Sequence, residues 1–205
     1  MLTKDGPGAD GSAPAPRPPR ADALRNRAKV LAAAQSALFE QGQSVSMDEI
    51  ARRAGVGPGT IYRHFPAKEA LFEAVYINRV QELTAYAESL LDPDSEPGAV
   101  FFGFLEHMVA EGSDKRALVE ALTGAGIDIS EVGRSVADEL RRVIGKMLRR
   151  AQQAGRVRPD IGVPEVMRLV AGMSLTSRQS PDGLAEPDLV LRVICDGLRA
   201  RPTEA

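Results

Sequence analysis

The chain has no tryptophan, one cysteine and two histidines. A single cysteine, Cys195, rules out a disulfide framework within the chain. With only His64 and His107 available, no cluster of histidines, cysteines and acids has metal-ligand spacing, so neither a metal nor a cofactor is expected. Gly-rich phosphate loops and nucleophile motifs are also missing, which argues against an enzyme. No apolar run approaches the roughly 20 residues of a membrane span. The most apolar short stretch, 99–105, is interrupted by Gly103. The N-terminus lacks the apolar segment of a leader peptide, so a cytoplasmic protein away from membranes is expected.

What remains is an ordinary composition for a chain of 205 residues, enough for one or two domains with a sizeable core. Net charge is −2, but it is unevenly divided. Residues 17–68 sum to +5, residues 1–16 to −1 and residues 69–205 to −6. A basic segment on an otherwise acidic chain is the footprint of a domain that meets a polyanion.

The positive segment contains SMDEIARRAGVGPGTIYRHFPAK, residues 46–68. Ser46 followed by Glu49 is a capping box, in which each residue satisfies an early N–H of the other's turn. Met47, Ile50, Ala51 and Ala54 then form one apolar face at helical spacing. Gly55 ends this helix, because glycine takes the left-handed C′ conformation without a Cβ clash. Pro58 opens a second helix with its fixed φ, and Pro66 ends it. Ala51 is small enough to let the helices cross closely, and Ile61 fills the angle between them. Small, glycine and branched residues at these offsets suit two helices crossing steeply, as in a DNA-binding helix-turn-helix. With Ile61 and Phe65 inward, Thr60, Tyr62, Arg63 and His64 face outward, and these are donors suited to phosphates and base edges. An ordinary helical hairpin with a polar face would satisfy the same spacing.

The stretch GTIYRHFPAKEALFEAV resembles the recognition helix and following helix of the TetR family of bacterial repressors. The preceding RAKVLAAAQSALFEQG is similar to that family's first helix, so the resemblance covers about residues 25–75. It implies an all-α, homodimeric, sequence-specific DNA-binding regulator. In such a protein an N-terminal helix-turn-helix domain is joined by a long helix to a C-terminal helical domain for effector binding and dimerisation. The commoner role in the family is a repressor released from a palindromic operator by a small molecule. The motif implies that Lys68 contacts a phosphate. Gly57 departs from the pattern, since many relatives carry a side chain there that could contact DNA. The full candidate DNA interface is Arg27, Ser46, Pro58, Gly59, Thr60, Tyr62, Arg63, His64 and Lys68. Arg63 is the expected base reader, because its fork matches both acceptors of a guanine. Lys68 at a helix start is poorly placed for the helix dipole, which also favours an external anion.

Along the chain, residues 1–20 read as a disordered tail rich in Pro, Gly and Ala. Its Arg17 and Arg20 serve either as a minor-groove arm or as solvated charge. The helix-turn-helix domain is expected over 21–66. Its first helix, 22–41, turns Val30, Ala33, Ala34, Ala37 and Leu38 inward, with Leu31 and Phe39 flanking. Residues 67–97 form a connecting helix to about 91 and an acidic linker. The second domain, 98–205, carries helices expected near 99–111, 115–123, 130–154, 165–176 and 187–200. The last two are apolar nearly all round, which calls for a partner chain. Gly172 in mid-helix is explained by the close approach of another helix. Candidate pocket walls are Phe101, Phe104, His107, Met108, Met147 and Met173, although such stripes also describe plain core. Few buried charges point to an apolar or amphipathic effector. A helical partner-binding protein without DNA affinity is the rival function, and the intact Tyr62, His64 and Lys68 weigh against it.

Overall fold

Val30, Ala34, Ala37 and Leu38 recur at the 3.6-residue period, and the helix they specify buries every one of them. The computed structural model describes residues 19–111, 134–176 and 187–201, with isolated positions at 118, 123, 124 and 126. Among these residues the chain is all helical. In order the helices are α1 (Pro19–Gln41), α2 (Met47–Ala54), α3 (Pro58–His64), α4 (Lys68–Ser89), α5 (Pro97–Ala110), α6 (Arg134–Gln153), α7 (Val163–Thr176) and α8 (Pro187–Leu198). A short 3₁₀ turn, Gly42–Ser44, follows α1.

Helices α1, α2 and α3 pack on one another, and α4 lies against α1 at one end and α6 at the other. Helix α5 packs on α6 and α7. The long α4 therefore belongs to both halves of the molecule. It buries Leu71, Phe72 and Val75 toward the N-terminal helices, then Val80, Thr84 and Ala87 further on. One contiguous core runs through both halves, from Val30 to Leu198.

Several expectations shift by a turn or less. Helix α1 starts at Pro19, inside the expected tail, because proline suits a first helical turn. Residues 1–18 lie outside the described residues. Leu31 belongs to the core at 4% exposure, whereas Phe39 faces outward at 49%. Helix α5 opens at Pro97, so Gly98 is helical rather than the end of the linker. Gly98 is needed there, since a Cβ would meet Arg156 Cβ at 2.9 Å. Glu96 caps this helix by accepting from Ala99 N–H at 2.6 Å. Helix α7 likewise begins earlier than expected, at Val163. The helix expected over 115–123 falls largely outside the described residues, as does the start of the one expected from 130.

Helix α6 follows its sequence pattern closely. Leu140, Val143, Ile144, Met147, Leu148 and Ala151 are buried, while Arg141, Arg142, Lys146 and Arg149 are exposed. The loop after it is closed by the Gln152 amide, which donates to the carbonyls of Arg158 (3.0 Å) and Ile161 (2.9 Å). An antiparallel bridge between Val157 and Arg199 ties this loop to the end of α8.

Candidate nucleic-acid interface

The turn between α2 and α3 is set by two glycines with different tasks. Gly55 sits at φ +65°, and its N–H and that of Val56 close on the last carbonyls of α2. This is the left-handed C′ arrangement expected from the sequence. Gly57 is extended and caps α3 with its carbonyl, which accepts from Thr60 N–H at 2.8 Å. Ser46 Oγ accepts from Glu49 N–H at 3.2 Å. The reciprocal half of the capping box is not made. The Glu49 carboxylate turns instead to Arg52 (2.7 Å) and Arg53 (2.8 Å), because two guanidiniums outbid one amide. Arg53 also reaches Glu40 on α1 at 2.6 Å, so this carboxylate–guanidinium cluster pins α2 to α1. The arginines hold the Glu49 carboxyl down to about 2, the Arg52 hydrogen bond first and the Arg53 one second.

Ile61 is fully buried between the helices, and Phe65 is nearly so. Phe65 does not continue α3. It is the extended cap residue, and its N–H closes on the Ile61 carbonyl at 2.8 Å. The opposite face of α3 is left open. Tyr62 and Arg63 are exposed, and Thr60 and His64 are half-buried. Arg63 folds back on its own helix, donating from Nε to the Gly59 carbonyl at 2.9 Å. Its Nη2 lies 3.5 Å from Thr60 Oγ1, a marginal contact. Arg27 stacks over the Phe65 ring, 5.4 Å from its centroid, at the far end of α3. Pro58 and Gly59 form the exposed first turn of α3.

Lys68 has a partner within the chain. Its Nζ donates to the Gln43 carbonyl in the 3₁₀ turn and lies 5.4 Å from the Phe72 ring centroid. Its position at the start of α4 is thus accounted for without an external anion. Gln43 is a residue that sequence reasoning missed; polar and between helices, it carries no periodic signal.

The structure also sorts the cations of this segment. Arg25, Arg52 and Arg53 are ion-paired within the chain. Arg27, Lys29, Arg63 and Lys68 meet no carboxylate among the described residues. These four remain available to a polyanion, together with the hydroxyls and ring nitrogens of α3.

In the C-terminal half, Phe101, Phe104, Met108, Met147 and Met173 are buried in the core. A small cavity of about 20 Å³ lies between α4, α5 and Leu118, and of the six pocket candidates only Met108 lines it. His107 borders the same region, its Nε2 3.4 Å from the Glu111 carboxylate and its ring 4.5 Å from that of Tyr86. The sequence reading passed over Tyr76, Arg79 and Glu111, which also line the cavity. Their spacing on α4 and α5 resembles that of any amphipathic helix. Among the described residues no group of histidines, cysteines and acids could hold a metal, and no helix is long and apolar enough to cross a membrane.

Two family models match the chain. Residues 30–75 match "Bacterial regulatory proteins, tetR family", and residues 96–200 match "Transcriptional regulator SbtR-like, C-terminal domain". A TetR transcription regulatory protein from Mycobacterium vanbaalenii is 40% identical, with TM-score 0.75 over 89% of this chain and 100% of that one. The TetR transcriptional regulator SCO0520 from Streptomyces coelicolor is 31% identical, with TM-score 0.71 over 86% and 99%. The transcriptional repressor KstR of Mycobacterium tuberculosis is 31% identical over 147 residues, 68% of this chain and 64% of that protein. The regulator UidR of Escherichia coli is 26% identical over 75% and 80%. The helix-turn-helix, the outward face of α3 and the all-helical second half agree with these matches, and the chain belongs to the TetR family of DNA-binding transcriptional regulators.

Proposed function

We propose that the chain is a homodimeric repressor that holds a palindromic operator and is released from it by a small-molecule effector. The observation that carries this reading is the outward face of α3, seated by the buried Ile61 and bearing polar side chains of which Arg63 is bonded only within its own helix. Tyr62, His64 and Lys68 hold phosphates, Lys68 by exchanging its Gln43 partner. Thr60 and the exposed backbone of Pro58 and Gly59 approach the strand at the helix start, and Ser46 and Arg27 flank it. Arg63 swings from the Gly59 carbonyl to a guanine, which is worth about 1–3 kcal/mol of discrimination.

Dimerisation is supported by α7 and α8. Leu189, Val190 and Val193 are 56%, 43% and 63% exposed. Gly172 on α7 has open space where a Cβ would stand, so among the described residues no helix of the same chain requires it to be glycine. A partner's helices crossing there would cover the apolar residues and give the glycine its close approach. Two-fold symmetry then presents two recognition helices to a palindrome. In this reading residues 21–66 bind DNA, 67–97 connect, and 98–205 bind effector and partner, in the cytoplasm where the operator lies. The effector acts through α4, which both halves share, and it must bind the two states with different affinity to shift them. The repressor role is favoured by the similarity to KstR, itself a repressor.

The test is binding of the purified protein to DNA from upstream of its own gene across a salt series. A protected palindrome, with log affinity falling at about −0.9 per phosphate neutralised, supports the reading. Absence of binding at every low salt concentration overturns it in favour of a helical partner-binding protein.

A further inference from the structure

The face that α1 turns into the core does not stop where the core stops. Leu31, Ala34 and Leu38 are buried along one line of this helix. Counted back from Leu31 by four, three and four residues, the same line carries Arg27, Leu24 and Arg20. Val30 begins the buried part of α1, and from Asp22 to Lys29 every residue except Asn26 is exposed. Leu24 is 69% exposed, more than any other large apolar side chain among the described residues. A lone exposed leucine is ordinary. One that stands on a core-facing line, between two arginines, is not accounted for by the packing of this chain. The overhang also starts at the recognition helix. Arg27 lies over the ring of Phe65, the residue that caps α3, and meets no carboxylate among the described residues. Beyond it about 12 Å of helix runs to Pro19, the span of three or four phosphates along one strand. The other side of these turns differs, for Arg25 there is paired with Asp22.

We propose that this overhanging line of α1 is a second DNA-contact surface, laid across the sugar–phosphate backbone beside the segment that α3 reads, with Arg27 and Arg20 on phosphates and Leu24 against the sugar edge. The proposal rests on the DNA-binding reading above. Two arginines with no acid on their line suit a polyanion, and the line is continuous with the outward end of α3. The apolar side chain between them suits the sugars, which separate successive phosphates. The shape of the overhang decides which part of the duplex it meets. It is helical, and a helix with its side chains is about 10–12 Å across, too thick for a minor groove about 6 Å wide. Arg20 therefore does not thread that groove as an extended arm would. The contact is with the backbone and carries no base preference of its own. It adds affinity for DNA beside the bases that α3 reads, and leaves the choice of sequence to α3.

Because the contact ignores sequence, it is measured with the full-length protein on mixed-sequence duplex DNA as well as on DNA from upstream of its own gene, each over a salt series. Arg27→Gln and Arg20→Gln are each expected to weaken binding alike on both DNAs and to lower the salt slope by about 0.9 for each protomer bound. Arg25→Gln makes the same change of charge on the other side of the helix and is expected to leave the slope as it is. Leu24→Glu is expected to keep the parent's Tm, since its side chain is outside the core, and to weaken binding at least as much as either arginine variant. Equal losses of slope in Arg25→Gln and the two arginine variants on the line would mean that net charge alone matters, and would overturn the proposal. Parent-like binding by Leu24→Glu overturns it too, as do losses confined to the upstream DNA. Arg27 packs on Phe65, so if Arg27→Gln melts early, Arg20→Gln and Leu24→Glu decide the question. Normal parent binding with no change in any variant sinks the overhang alone, whereas a parent that binds neither DNA sinks the regulator reading with it.

Discussion

Gly55 and Arg63 belong to the helix-turn-helix in two different ways, one through its backbone and the other through its side chain. Gly55 is held at φ +65°, where a Cβ would press on the following carbonyl. Nothing surrounds it within 4 Å, so the penalty for a side chain is purely conformational. Gly55→Ala should lower the unfolding free energy by about 1–2 kcal/mol, read from the shift of the urea midpoint at unchanged slope. Arg63 contributes little to stability, because its hydrogen bonds are exposed and close on its own helix. Arg63→Ala should therefore melt like the parent yet lose about 1–3 kcal/mol of operator affinity. Competition with scrambled DNA would show preference lost faster than affinity. Both residues were legible in the sequence, one as a helix stop and the other as an outward position. What Lys68 touches was not legible, because its partner is a backbone carbonyl 25 residues away in the chain.

At the scale of elements, α2 is held to α1 by apolar packing and by the Glu40–Arg53–Glu49–Arg52 cluster. The Glu49 carboxyl titrates near 2 when folded, against 4.5 ordinarily. A carboxyl depressed by folding adds stability that is complete above its unfolded pKa and disappears as pH falls through the folded one. The contribution should thus fade between pH 4.5 and about 2. Melting temperatures across that window should fall in the parent. In Glu49→Gln they should start lower at neutral pH and fall less steeply. A parallel decline in both proteins would show that other carboxylates dominate. The sequence suggested a reciprocal capping box here. It could not show Glu40 on the neighbouring helix, whose proximity makes the guanidinium cluster the better arrangement for Glu49.

For the whole molecule, the decisive surface is the one that a single chain leaves bare. Val193 is 63% exposed in the middle of α8, flanked by Leu189 and Val190. Val193→Glu should leave the monomer folded and shift the population from dimer to monomer in light scattering. Its operator binding should weaken, and the salt slope should drop to roughly half, since only one set of phosphates is neutralised. A variant that stays dimeric with an unchanged slope would place the interface elsewhere.

The sequence by itself determined the helical class, the site of the turn and the inward and outward faces of α3. Each depends on contacts within a few residues, where periodicity, caps and a left-handed glycine leave few alternatives. It also marked α7 and α8 as too apolar for a single core. Tertiary structure alone decided which cations meet a carboxylate, since among the described residues Arg25, Arg52 and Arg53 do while Arg27, Lys29, Arg63 and Lys68 do not. It also decided that most of the Phe and Met stripe is core and that the cavity belongs to Tyr76, Arg79 and Glu111. Those outcomes depend on which side chains distant segments bring within a few ångströms of each other. Charge and burial are then settled by the neighbour, which the local pattern does not name.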